Sequence, residues 1–159
     1  MDSVTVNIDD VMRMFREFDR RKINRVYKQA TKKALGIIRQ EVVSNLRKVT
    51  KKINRKDKWG MTLRKGIVTN VYRDNKSGVI HIMKNFKLKF FELGTKDRYN
   101  VSKGSRKTGK LKKKRYTGKI TASHFFLNAV NSKKTEAYRN MEQLISESIK
   151  RINNKYSKK

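Results

Sequence analysis

The sequence predicts an α+β protein in which one antiparallel sheet of three to four strands packs against a long N-terminal helix and a C-terminal helix. Three observations predict this class. Apolar residues recur at three- and four-residue steps over 21–49 and again over 137–152, as the buried face of a helix requires. Between these segments, short runs rich in β-branched and aromatic residues alternate with polar, glycine-containing turns.

The composition limits the class of protein further. At 159 residues, the chain is expected to form a single domain over 1–159 with a modest core. It has no cysteine, which excludes disulfide frameworks, thiol nucleophiles and cysteine-based zinc sites, and it has no proline. Because no apolar run is long enough to cross a bilayer and the first residues do not resemble a secretory signal, we expect synthesis in a cytoplasm and no membrane partner.

The first long helix is predicted over 21–49. Its apolar face consists of Ile23, Val26, Tyr27, Ala30, Ala34, Ile37, Ile38, Val42, Leu46 and Val49. Basic residues fill most of the other positions, as the solvent-facing side of an amphipathic helix allows. A shorter segment with the same spacing, 8–18, predicts a separate helix that begins at Asn7 or Asp9.

A basic and polar segment, 50–58, predicts a loop after this helix. Trp59 comes next, and because tryptophan is mostly buried in proteins we expect its ring to cover the edge of the core. Two β-rich runs, 67–73 and 79–84, are then separated by a polar connection that ends in glycine. This pattern predicts a β-hairpin.

The segment Phe90–Thr95 predicts the end of a third strand, 88–93, closed by a tight turn. Gly94 is able to take a positive φ there, and Thr95 is able to cap the next element of the chain. Further along the chain, His124–Ala129 predicts the start of the last helix, which is expected to pack against the first helix or across the sheet.

The most basic part of the chain lies between these two segments, at about 96–119, where only Asp97 is acidic. Its basic residues include Lys103, Arg106, Lys107, Lys110, Lys112, Lys113, Lys114, Arg115 and Lys119. Such a segment cannot bury enough apolar surface to order itself, so we expect either a flexible loop or an extended hairpin in the free protein. It would become ordered on contact with DNA or with a neighbouring subunit.

The formal net charge of +30 is the second major feature of the sequence. Self-repulsion of this size favours an anionic partner, and nucleic acid is the obvious one because lysine and arginine release counter-ions from phosphates regardless of base sequence. The alternative is a solvated surface that only confers solubility. The sequence contains no zinc-finger spacing, aromatic RNA-recognition cluster or Gly-x-x-Gly clamp that would indicate base-specific recognition.

Catalytic motifs are not evident in the sequence. Neither histidine has a nearby nucleophile or orienting carboxylate, and the paired-carboxylate, Gly-x-Ser-x-Gly and His-Glu-x-x-His patterns do not occur. His81 has no second ligand at metal-binding spacing. We therefore expect a protein that is not an enzyme and has no catalytic residues, metal or cofactor.

Five short elements, in this order, resemble the tail-completion or head-tail joining proteins of tailed bacteriophages, the gene-product-ten-like family of tail components of long-tailed phages. They are the N-terminal helical pair, Gly60-x-x-Leu63-Arg64, the β-hairpin, Phe90-Phe91-Glu92-Leu93-Gly94-Thr95 and Phe125-Phe126-x-x-Ala129. The order of all five carries the resemblance, since each motif alone is short.

The resemblance implies a structural virion protein that forms a ring at the neck or upper tail and joins the head to the tail. The residues it assigns to fold and assembly are Phe90, Phe91, Glu92, Gly94, Thr95, Phe125, Phe126 and Ala129. Its expected partners are further copies of the chain in a six-fold or twelve-fold ring, and head-closure, tail-terminator or portal-associated proteins. The basic loop would contact genomic DNA or acidic patches on these neighbours.

Two alternatives remain open. A sequence-nonspecific nucleic-acid-binding protein of the cytoplasm would use the same positive charge, and predicts a steep loss of affinity with salt. A small ribosome-associated protein would also suit the charge, but predicts binding to structured RNA without self-assembly.

Overall fold

The computed structural model describes residues 20–101 and 114–156. The helix predicted over 8–18 and the central part of the basic loop lie outside these residues. The described elements are α1 (Arg20–Val49), a 3₁₀ turn (Arg64–Gly66), β1 (Val68–Val71), β2 (Gly78–His81), α2 (Lys87–Leu93), β3 (Arg98–Val101), β4 (Lys114–Gly118) and α3 (Phe125–Tyr156).

The α+β class is confirmed, as are both long helices and the hairpin formed by β1 and β2. The prediction of one sheet with three to four strands is wrong. In the described part of the chain, β1 pairs only with β2 and β3 only with β4, which gives two separate two-stranded antiparallel sheets.

The predicted third strand, 88–93, is the helix α2. Leu88 and Glu92, four residues apart, are both buried, whereas Phe86, Phe90 and Leu93 are exposed. This is the spacing of a helix face rather than the alternation of a strand. The phenylalanines and the short apolar run suggested a strand, but a run of this length does not distinguish strand from helix by its periodicity.

The described residues form two compact units, and α1 and α3 each contribute to both. Unit 1 comprises 20–41, 69–80 and 132–156 of the described chain. Apart from Leu35, its buried residues are small, namely Ala30, Thr31, Ala34 and Ala137. Between α1 and α3, apolar residues that include Ile23 and Ile145 line a cavity of about 120 Å³.

The β1–β2 hairpin packs against α1 in unit 1. Thr31 Oγ1 of α1 donates a hydrogen bond to the carbonyl of Asn75 in the hairpin turn, at 3.1 Å. A Cβ on Gly78 would lie 2.7 Å from a methyl group of Leu35 and 2.8 Å from the carbonyl oxygen of Asn70. The close approach of the Asn70 backbone on the neighbouring strand therefore requires glycine at this position, with Leu35 of α1 packed directly against it.

The turn of this hairpin is held by one carboxylate. Asp74 Oδ1 accepts the backbone N–H groups of Lys76 and Ser77, both at 3.2 Å, and Oδ2 accepts the Ser77 hydroxyl at 2.6 Å. The Ser77 hydroxyl is the largest of the influences that lower the pKa of Asp74. A carboxylate that holds its own turn in this way is typical of hairpin connections.

Unit 2 comprises the described residues of 42–68 and 81–131. Its core contains the largest fully buried side chains of the described chain, which are Phe125, Leu46, Ile67, Leu88 and Val42. Asn85 is buried among them with both ends of its amide engaged: Nδ2 donates to the Thr62 carbonyl at 3.4 Å and Oδ1 accepts the N–H of Lys87 at 3.1 Å. The segment before β1 is thereby attached to the start of α2.

The prediction that Trp59 covers the core is wrong, because 75% of its surface is exposed. Asp57 turns the chain at this point by accepting the backbone N–H groups of Trp59 and Met61, each at 2.9 Å. Gly60, between them, has φ 70°. The tight turn directs the indole outward, where the Lys58 ammonium lies 4.8 Å from the ring centroid.

Exposure of Trp59 is testable because it is the single tryptophan of the chain. We expect its fluorescence to be quenched readily by acrylamide in the native protein, and Trp59→Ala to change the free energy of unfolding by no more than about 0.5 kcal/mol. Leu46→Ala, at a fully buried position, should cost about 2–5 kcal/mol in urea denaturation. Quenching of the native protein well below that of the unfolded protein would place the indole in the core instead.

Candidate functional site

Glu92, at the end of α2, holds the first turn of α3. Its Oε2 accepts the backbone N–H of Phe126 at 2.8 Å, and its Oε1 accepts that of Leu127 at 3.1 Å. The first N–H groups of a helix have no partner within the helix, and they carry the positive end of its dipole. Because the first turn of α3 contains no acidic residue of its own, this cap is supplied by a residue more than thirty positions earlier.

Backbone hydrogen bonds reinforce the same junction. The Phe91 carbonyl accepts both the N–H of Ser123, at 3.0 Å, and the Ser123 hydroxyl, at 2.6 Å. The Glu92 carbonyl accepts the N–H of His124 at 3.2 Å. We call the hydrogen bonds between 91–95 and 120–127 the Glu92 lock.

Gly94 and Thr95 complete the Glu92 lock. The Thr95 N–H donates to the Ile120 carbonyl at 2.8 Å, and Thr95 Oγ1 accepts the Ile120 N–H at 2.9 Å. Gly94 has φ 74° and ψ −174°, and a Cβ there would lie 2.8 Å from both the Ala122 nitrogen and the Ile120 oxygen. The predicted glycine turn is therefore confirmed, and it requires glycine for both conformation and space.

The Glu92 lock joins the two ends of the basic segment. Directly beyond it, β3 and β4 pair antiparallel, with Tyr99 opposite Tyr116 and Asn100 opposite Arg115. The two tyrosine rings are exposed and lie 5.5 Å apart between centroids. Either a loop or a hairpin was expected for 96–119, and the described ends of this segment pair as in a hairpin. We call the paired strands β3 and β4 the basic ribbon.

The structure brings together most of the residues predicted as fold and assembly residues. Glu92, Phe125 and Ala129 are buried, Phe91 and Phe126 are half-buried, and Gly94 and Thr95 form the turn. Phe90 differs from the others: 40% of its surface is exposed, and its ring makes an edge-to-face contact with Phe86, with 6.0 Å between centroids.

The predicted contacts to DNA or an acidic partner are only partly described. Lys114 and Arg115 lie in β4 and Lys119 comes directly after it, and all three are exposed. Lys103, Arg106, Lys107, Lys110, Lys112 and Lys113 lie outside the described residues.

The acidic residues of unit 2 all have internal partners. The sequence of this unit contains three, Asp57, Glu92 and Asp97. Glu92 caps α3, Asp97 accepts the Tyr116 hydroxyl at 3.3 Å, and Asp57 both holds the turn at Trp59 and pairs with Lys87 at 3.2 Å. No further carboxylate remains in this unit for its many basic side chains.

Several residues of the site were not predicted from the sequence. In the Glu92 lock, the Ser123 hydroxyl donates to the Phe91 carbonyl and the Ile120 N–H donates to Thr95 Oγ1. Tyr99 and Tyr116 form an exposed aromatic pair. The small hydroxyl residue directly before His124-Phe125 was the signal for Ser123, because serine is favoured next to helix starts. Nothing in the sequence indicated the pairing of the tyrosines, since it depends on the register of the ribbon.

The described residues provide neither a metal cluster nor a membrane span. They contain no group of three or more His, Cys, Asp or Glu side chains that could hold a metal ion. His81 is half-buried in β2, and its Nδ1 has no hydrogen-bond partner within the described part of the protein. None of the described helices combines the length and apolar character needed to span a membrane.

Comparison of the chain with protein-family models, with curated proteins and with solved structures gives no match.

The glycine requirement of the lock is testable with a matched pair of variants. Gly94→Ala should lower the free energy of unfolding by the strain of its backbone region, about 1–3 kcal/mol, and further by the clash with backbone atoms. Gly60→Ala is the control, because Gly60 also has a positive φ, 70°, but a Cβ there meets nothing within 4 Å. Equal losses for the two variants in urea denaturation would contradict the close approach at Gly94.

If Glu92 caps α3, removal of its negative charge should lower the free energy of unfolding. Glu92→Gln keeps the size of the side chain but places an amide N–H₂ against backbone donors, so we expect a loss of about 1.5–3 kcal/mol, as for hydrogen bonds to charged groups. Glu136→Gln is the control, since Glu136 is exposed and, among the described residues, forms its ion pair with Lys133 on the same helix, and exposed pairs contribute little. If the two variants unfold at the same urea concentration, Glu92 is not a structural cap.

Proposed function

We propose that the protein is a structural virion component of a tailed bacteriophage, one that forms a ring at the neck or upper tail and joins the head to the tail. The observation that carries this proposal is the Glu92 lock. Two motifs about thirty residues apart resemble the tail-completion family, and the structure joins them: Glu92 of the first accepts backbone N–H groups at the start of the second, from Phe126 and Leu127. Glu92, Phe125 and Ala129 are all buried. The contact between the two motifs supports the interpretation that they are parts of one signature.

The described surface of unit 2 supports assembly through protein contacts. Met83, Phe86, Phe90 and Leu93 are all exposed, and the rings of Phe86 and Phe90 contact each other. Exposed aromatic clusters are typical of interfaces rather than of free surfaces. We call these four exposed residues the aromatic patch. In the proposed ring, the aromatic patch contacts a different surface of the next copy, since a head-to-tail contact with closing rotation generates a ring.

The basic ribbon supports the proposed contact with DNA or with neighbouring proteins of the neck. Its basic side chains Arg98, Lys114 and Arg115 are exposed, and the lock fixes both ends of the ribbon to the core of unit 2. A cationic ribbon anchored in this way is suited to contact DNA in the channel of the neck or acidic patches on adjoining neck proteins. Neither role needs a catalytic residue or a cofactor.

Disruption of the gene in the phage that encodes the chain tests the proposal. We expect DNA-filled heads and separate tails in electron micrographs of the lysate, because the part that joins them is missing. Normal joined particles would overturn the proposal.

Complementation gives this experiment its controls. Wild-type protein and Tyr138→Ser, which changes an exposed aromatic residue of unit 1, should restore joined particles. The double variant Phe86→Ser, Phe90→Ser should not restore them if the aromatic patch contacts the next copy.

A second candidate function is a sequence-nonspecific nucleic-acid-binding protein of the cytoplasm. It is favoured by one observation, the engagement of all three acidic residues of unit 2 in internal contacts. Both candidates predict affinity for DNA, but only the first predicts rings of the purified protein and its presence in purified virions. Sedimentation and imaging therefore separate the two.

A further inference from the structure

Unit 2 contains an open cleft of about 280 Å³ between the loop that comes after α1 and the helix α2. This volume is slightly below the usual range for small-molecule pockets, about 300–1,000 Å³, and suits a single ring system rather than a large ligand. The cleft belongs neither to the basic ribbon nor to the aromatic patch. None of the motifs in the sequence pointed to it.

The floor of the cleft is apolar and its walls are held in place. Leu63 is buried, and Met61 and Phe91 are half-buried. Asp57 fixes the Met61 backbone through hydrogen bonds in both directions, each 2.9 Å long. The Phe91 carbonyl accepts two hydrogen bonds from Ser123, so the backbone that carries the Phe91 side chain is held by the same lock that closes the ribbon.

The rim of the cleft is cationic. Lys52, Arg55 and Lys56 line it and are exposed, and within the described residues their side chains form no ion pair. The fourth cation, Lys87, is paired with Asp57, the single carboxylate among the lining residues. As far as the described residues show, the lining therefore presents three positive charges without a carboxylate partner around an apolar floor.

Asp57 does not offset the charge of this rim. Burial raises its pKa, but the hydrogen bonds from Met61, Lys87 and Trp59 outweigh this effect, so that its pKa lies below the ordinary value. It is ionised at neutral pH, where its charge is matched by Lys87 at 3.2 Å. A ligand for the cleft is thus expected to combine a flat apolar ring with several negative charges next to it.

We propose that this cleft binds an unpaired nucleotide of a single-stranded nucleic acid. The base lies on the floor formed by Met61, Leu63 and Phe91, and the flanking phosphates contact Lys52, Arg55 and Lys56. Aromatic side chains that accept one base beside a positively charged track are the common means of binding single strands without sequence preference. A duplex does not fit, because its bases are stacked and paired. This inference does not depend on ring formation.

Fluorescence anisotropy with a labelled oligothymidylate and with a duplex of equal length tests the proposal on the full chain. We expect tighter binding of the single strand. Replacing Lys52, Arg55 and Lys56 with alanine should weaken that binding and lower the slope of log affinity against log salt by about 2, since each phosphate contact contributes about 0.7. The control replaces Lys134, Arg139 and Lys150, three exposed cations of α3, and should leave the preference for the single strand intact.

The role of the floor is tested separately. Phe91→Leu keeps an apolar wall but removes the aromatic face, so single-strand affinity should fall at least about fivefold, the lower end for one stacked base, with the duplex affinity unchanged. Thymidine monophosphate added to the wild-type protein should shift the NMR signals of the Met61 methyl group and the Phe91 ring. This measurement remains informative if the variant fails to fold.

Three results of these measurements would overturn the proposal, and a fourth comes from competition. They are equal effects of the two triple replacements, unshifted Met61 and Phe91 signals at saturating mononucleotide, and equal binding of single strand and duplex. Competition by polyglutamate as strong as that by oligothymidylate would also overturn it, in favour of an acidic protein segment in the cleft.

Discussion

The contact between the Glu92 carboxylate and the first turn of α3 is the constraint on which the rest of unit 2 depends. A buried carboxylate is costly unless it is well hydrogen-bonded, and here both oxygens accept backbone N–H groups. In a chain with 43 basic and 13 acidic residues, a salt bridge would be the simplest partner for a carboxylate. The N-terminus of α3 instead stabilises the negative charge through the helix dipole. It also fixes how the carboxylate is oriented, because each oxygen must accept one of two adjacent N–H groups.

Three surfaces are positioned by this one junction. The lock pairs Thr95 with Ile120 and so sets where the basic ribbon leaves the core. It holds the Phe91 carbonyl, and so fixes the backbone of a residue that lines the cleft. Because Phe91 and Phe90 are neighbours on the short helix α2, the orientation that turns Phe91 inward leaves Phe90 exposed beside Phe86. The proposed contacts with nucleic acid and with other copies of the chain therefore share a common support.

Sequence periodicity predicted the parts of the fold that are determined locally. Helix α1 was predicted over 21–49 and spans Arg20–Val49, because a long amphipathic pattern leaves little choice. The hairpin and the positive φ of Gly94 could also be predicted from the sequence, since glycine and polar turn residues determine the backbone conformation within a few positions. The resemblance to phage tail-completion proteins pointed to Glu92 and Gly94, but it assigned Glu92 to the end of a strand rather than to a helix cap.

The errors arose where distant residues decide the outcome. In the helix α2, Leu88 and Glu92 lie on one face and are both buried in unit 2. The sequence of this short segment alone does not show that these two residues share a buried face. Trp59 is exposed because Asp57 turns the chain before it, against the usual tendency of tryptophan to be buried. The cleft could not be predicted from the sequence, because Lys52 and Phe91 are about forty residues apart and line the same site only in the folded chain.

Native-state hydrogen exchange at the first turn of α3 tests the central claim most directly. Amides at the start of a helix normally exchange quickly, since they lack partners within the helix. If Glu92 holds them, the Phe126 and Leu127 amides exchange slowly in the wild-type protein and quickly in Glu92→Gln, while the Asn128 amide, bonded to the His124 carbonyl, changes much less. Fast exchange of Phe126 and Leu127 in the wild-type protein, as in any uncapped helix start, would contradict the account.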